Sequence, residues 1–162
     1  MPRRLLRDGA IVLDDWEELQ EAALPADARA LIIDFDRWQR ERAALRRYPG
    51  KLGVTLEPAH RVEELAEDLP RFALVAARFP GPSDGRGYTQ ARLLRERYGF
   101  SGELRATGYV RRDQVFFLAR CGFNALELPE EELPTAGAAF ETFSAAYQLS
   151  NDAGMPLKRA RR

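Results

Sequence analysis

Hydrophobic and polar positions divide the chain into short apolar runs separated by longer stretches with helical spacing. ALIID, LGVTL, FALVAARF, ELRATG and ALEL are the apolar runs. They predict strands at about 30–34, 52–56, 72–78, 103–107 and 125–128. FDRWQRERAALRRY places Phe35, Trp38 and Leu45 on one helical face, and Tyr48-Pro49-Gly50 ends that helix. PAHRVEELAEDL, YTQARLLRERYG and the stretch from Val110 to Cys121 are the next helical segments. Regular alternation of strand and helix indicates βα units and a parallel sheet.

The ends of the chain read differently. LLRDGAIVL carries Asp8-Gly9 between two apolar runs, which predicts an N-terminal hairpin. Asp14 and Asp15 precede WEELQEAAL, and this acidic start predicts a short helix. After the proline-bounded PEEELP, a C-terminal helix is expected with Phe140, Phe143 and Tyr147 on one face. The fold class is therefore α/β: one domain over 1–150, with about five mainly parallel strands. The sheet is either open or a partial TIM-like barrel. Residues 151–162 read as a basic flexible tail.

Composition narrows the function classes. The chain has 162 residues, and its 25 Lys+Arg balance its 25 Asp+Glu. A zero net charge supplies no basic field for nucleic acid. Cys121 is the single cysteine, which excludes an internal disulfide, an iron–sulfur cluster and a structural zinc held within the chain. Neither a signal peptide nor a membrane-spanning run is present, so the expected location is the cytoplasm. No His/Asp/Glu set has metal spacing, and no cofactor motif is evident. An oxidoreductase acting alone would need a bound flavin, haem or nicotinamide.

Three groups of residues could carry chemistry. PGPSDGRG follows the third strand, at the carboxyl edge where α/β sheets bind ligands. Asp84, Gly85, Arg86, Gly87 and Thr89 there either turn the chain or form an anion site at a helix start. Arg105 and Glu127 each stand between apolar neighbours in adjacent strands. Unpaired buried charge is costly, so the two are expected to meet, with Arg78 joining them. The result is either a structural ion pair or a polar ligand cluster. Arg111, Arg112 and Asp113 open the next helix, and the two arginines, opposed there by the helix dipole, are either solvated surface charges or sit beside an anion or an acidic partner.

DGRGY (84–88), ARLLRERYG (91–99), GELRA with Gly108, RDQ (112–114) and RCGF (120–123) together resemble a bacterial family known as domain of unknown function 934. FETFSAAYQ also fits it. The resemblance implies a gene encoded beside the haemoprotein subunit of sulfite or nitrite reductase. It implies an accessory protein, or an oxidoreductase, of sulfur assimilation, with that haemoprotein as partner. A second reading from the residues is a small-molecule enzyme on a barrel-like scaffold, acting on an anionic or phosphorylated substrate. Free sheet edges leave room for a homodimer.

Overall fold

The computed structural model describes residues 2–147, with side chains described through residue 140. The tail expected at 151–162, and the facing of Phe143 and Tyr147, lie outside what is described. One sheet contains eight strands: β1 (Arg4–Arg7), β2 (Ala10–Leu13), β3 (Glu17–Glu18), β4 (Leu31–Asp34), β5 (Leu52–Leu56), β6 (Phe72–Phe79), β7 (Glu103–Gly108) and β8 (Ala125–Leu126). Their order is β2-β1-β8-β7-β6-β5-β4-β3. Among the described residues four α-helices accompany them: α1 (Phe35–Arg46), α2 (Arg86–Arg92), α3 (Val115–Cys121) and α4 (Leu133–Tyr147).

The five expected strands are β4 to β8, and each pairs in parallel with the next. The expectation of about five mainly parallel strands needs correction, because the sheet has eight strands and is mixed. The hairpin supplies the antiparallel part. Asp8 (φ 51°) and Gly9 (φ 83°) make the two-residue turn, and β1 runs antiparallel to both β2 and β8. The helix expected at WEELQEAAL is instead strand β3. Its backbone finds partners in the sheet: Glu17 N–H donates to Ala30 O and Leu19 N–H to Ile32 O. A short isolated helix offers no comparable gain.

Only residues 14–16 link β2 to β3, at opposite ends of the strand order. Seven strand spacings on a flat sheet would cover about 34 Å. Four Cα steps reach at most about 14 Å. The sheet therefore curls as a half-barrel, and Asp14–Trp16 bridges its seam. The outer face carries the helices and the main core, including Trp38, Leu65, Leu94, Leu118 and Leu133 against Ile33, Val54, Val75, Leu104 and Leu126. The inner face holds Ile32, Leu74 and Ala76 beneath Trp16. Gly53 lets Ile32 and Leu74 approach across β5: a Cβ there would lie 2.9 Å from the Leu74 side chain.

Arg95 fastens the second half of the chain. Its guanidinium donates to Phe100 O (2.7 Å), Gly102 O (2.9 Å) and Gly122 O (3.0 Å). The segments RERYG, GEL and RCGF thus meet at one side chain. Gly122 caps α3 at φ 109°, and a Cβ on it would come within 2.5 Å of Arg95 Cγ. Phe116 and Phe117 are exposed on α3. Valine, leucine, alanine and cysteine at 115, 118, 119 and 121 form the buried stripe. Among the described residues, no helix is long and apolar enough to cross a membrane.

Candidate functional site

Alternation along the strands decides which polar residues share the inner face. Leu104 and Ala106 pack among the helices, so Glu103, Arg105 and Thr107 turn inward. Leu126 faces the helices, so Glu127 turns inward beside them. Leu6 does the same on β1, which sends Arg3, Leu5 and Arg7 inward.

Arg105 is fully buried at the centre of this polar face. Its guanidinium meets Glu103 Oε1 at 2.8 Å, Asp14 Oδ2 at 3.0 Å and Glu127 Oε1 at 3.2 Å. The Thr107 hydroxyl donates to Glu127 Oε2 at 2.7 Å. Arg3 bonds the outer sides of Asp14 (2.8 Å) and Glu127 (3.3 Å). Arg7 Nε lies 3.1 Å from Glu103 Oε2, close enough for an ion pair but without hydrogen-bond alignment. Three arginines thus share the inner carboxylates Asp14, Glu103 and Glu127, and Arg3 and Arg7 also pair outward with the more exposed Glu18 and Asp15. Arg78 does not join them: it bonds Glu57 at 2.7 Å, near the end of β5.

Asp14 is held at the seam by this network. Burial acts to raise its pKa, but hydrogen bonds and charge from Arg105, with a hydrogen bond from Arg3, outweigh it and hold the carboxyl below the usual range. A depressed native pKa contributes stability that is complete above the unfolded value of about 3.9. That stability is lost as pH falls through the native value. In acid titrations followed by circular dichroism, Asp14→Asn is expected to lose stability less steeply below about pH 4 than the parent. An unchanged slope would contradict the assignment.

The carboxyl ends of the parallel strands form one mouth, and β1 brings its amino end to the same edge. A cavity of about 300 Å³ opens there, lined by Arg3, Arg4, Tyr109, Arg111 and Glu127 among others. Gly108 makes its wall possible, at φ 85° with a Cβ position only 2.4 Å from Phe79 O. Arg111 lies over the Tyr109 ring, 5.4 Å from its centroid. A second cavity of about 280 Å³ adjoins β4 to β6, lined by Glu18, Glu21, Asp34, Thr55, Glu57 and Arg78 among others. Arg3 and Glu18, 3.4 Å apart, connect the two.

The glycine loop lies apart from both cavities. Asp84 accepts from Arg86 N–H and from the Arg86 guanidinium, at 3.1 and 2.7 Å. The loop's own carboxylate thus takes the donors that the sequence offered to an anion. Gly87 serves packing, since a Cβ on it would meet the Phe79 ring at 2.6 Å. Thr89 lies within α2. Arg111 and Arg112 find an acidic partner inside the chain: Glu132 accepts from the Arg111 guanidinium at 3.3 Å and from Arg112 N–H at 2.6 Å. Asp113 follows in the short 3₁₀ turn Arg112–Gln114.

Arg3, Arg4, Asp14, Glu130 and Glu132 were not among the residues singled out by sequence. For Arg3 a signal existed, because the hairpin's alternation puts it on the face of Leu5 and Arg7. For Asp14 the signal misled, since an acid before WEEL looks like a helix start. Cys121 is buried, and burial pushes its thiol pKa up against the opposing effect of Arg92 and Arg120, so it behaves as a core residue. Among the described residues, no group of three or more His, Cys, Asp or Glu could hold a metal ion.

No curated protein sequence matches the chain. A family model described as "Bacterial protein of unknown function (DUF934)" matches residues 53–158, which take in β6 to β8, the glycine loop, Arg105 and Glu127. With most of its length matched, including the motifs tied together by Arg95, the chain belongs to the DUF934 family.

Proposed function

We propose that the protein is a cytoplasmic accessory of sulfite or nitrite reduction that binds a small oxyanion at the mouth of the curled sheet. The observation that carries this reading is one cavity of about 300 Å³ with Arg3, Arg4 and Arg111 all in its lining. Guanidinium groups match oxyanions in charge and in donor geometry. The carboxyl edge of parallel strands is also where α/β folds place ligands. The setting in sulfite or nitrite reduction rests on the family resemblance. The reductase haemoprotein is the corresponding partner.

Isothermal titration calorimetry with sulfite tests the site. The parent protein is expected to bind, and Arg111→Ala to weaken binding about tenfold, as for the loss of one charge-assisted contact. Arg86→Ala, in the self-paired glycine loop, is expected to bind like the parent. Absence of binding, or a loss confined to Arg86→Ala, would overturn the assignment. Co-purification with the haemoprotein tests the partner separately.

A further inference from the structure

The three arginines of the cavity are held in two different ways. Arg3 bonds Asp14 and Glu127, which are fixed from behind by Arg105 and Thr107. Arg4 and Arg111 instead bond acids from one short turn, Glu130–Glu132, which lies between Pro129 and α4. Arg4 pairs with Glu130, and Arg111 with Glu132. The Glu130 side chain is 59% exposed, and its carboxylate bonds only Arg4 among the described residues. Released, it returns to water at little cost. Glu132 keeps the Arg112 N–H if it loses Arg111, so the exchange strands no buried carboxylate.

We propose that Glu130 and Glu132 occupy Arg4 and Arg111 as internal substitutes for the ligand, and that the two arginine charges select oxyanions carrying two charges over those carrying one. This inference rests on the anion-binding reading above. An anion that takes both arginines must replace two carboxylate charges. A monoanion such as nitrite spreads one charge over two guanidinium groups and leaves one poorly satisfied. A dianion such as sulfate, or sulfite in its doubly ionised form, replaces both. Arg3 keeps all three of its nitrogens on Asp14, Glu18 and Glu127 and stays in place at the cavity wall.

The experiment is calorimetric titration with sulfate and with nitrite at constant ionic strength. The proteins are the parent, Glu130→Gln, and Glu130→Gln combined with Glu132→Gln. The parent is expected to favour sulfate by about tenfold, as for one charge-assisted contact left unmatched. Glu130→Gln is expected to tighten sulfate binding roughly two- to fivefold, the scale of one exposed ion pair. In the double variant sulfate is expected to gain at least as much as nitrite, because a dianion is relieved of more repulsion than a monoanion, so the ratio holds or widens. Among the described residues the Glu130 carboxylate pairs only with Arg4, so its single variant remains informative if the double variant folds poorly. Equal affinities in the parent, or Gln variants that bind sulfate no tighter, would overturn the inference. If the parent binds sulfate and Arg111→Ala weakens it while the Gln variants gain nothing, only this inference falls. If the parent binds neither anion, the anion-binding reading falls with it.

Discussion

Arg105→Met is expected to lower the free energy of unfolding by about 3–5 kcal/mol, the cost of leaving buried carboxylates without their cation. The reason lies in the number of partners. Arg105 is fully buried and serves Asp14, Glu103 and Glu127 together. With methionine in its place, Asp14 and Glu127 keep Arg3, and Glu103 keeps only Arg7. Glu127→Leu is expected to cost less, roughly 1–3 kcal/mol, because Arg105 keeps two of its three carboxylates. The double variant should be non-additive by roughly 0.5–3 kcal/mol, as for residues in one network. Its recovery is expected to be partial, since Asp14 and Glu103 remain without Arg105. Urea unfolding, comparing midpoints at constant slope, measures all three. Small additive losses would show that the network contributes little.

Trp38→Ala is expected to cost a similar amount, about 3–5 kcal/mol, through the cavity it leaves in the helix-side core. Trp38 is fully buried, meets the Phe72 ring edge-on at a centroid distance of 4.7 Å, and donates Nε1–H to Asp68 Oδ2 at 3.3 Å. Asp68 is buried as well, and also pairs with Arg42 and Arg46. Trp38→Phe separates the two contributions. It keeps most of the aromatic packing and loses the hydrogen bond, so roughly 1–2 kcal/mol is expected. A loss below that for Trp38→Ala in the same urea experiment would mean that α1 settles into the space. Anion binding at the mouth serves as a control, because Trp38 lies on the opposite face of the sheet from Arg105.

These two residues differ in how far local pattern revealed them. Trp38 was legible because α1 repeats its apolar positions at helical spacing, and Leu45 continues the same stripe. Arg105 was legible as a charge inside an apolar strand, with Glu127 as the nearest answer one crossover away. Its other partners were not legible. Asp14 is 91 residues away in the chain, and only the seam bridge brings it over the inner face. Glu103 sits two positions from Arg105 on the same face and was within reach of the alternation argument.

The sequence by itself determined the parallel strands β4 to β8, the hairpin turn at Asp8-Gly9, the helix-facing stripes and the single buried cysteine. Each follows from a period of 2 or 3.6, or from one residue's backbone freedom, and so is written within a few neighbouring positions. The tertiary structure alone decided three things. β1 closes against β8 in the opposite sense, WEEL joins the sheet as an edge strand, and three arginines from residues 3, 4 and 111 share one cavity. Those outcomes depend on the curl of the sheet and on the short link that spans its seam. Local periodicity carries no information about which distant edges will meet, because that is settled by the hydrogen bonds and buried charges that only the assembled sheet can satisfy.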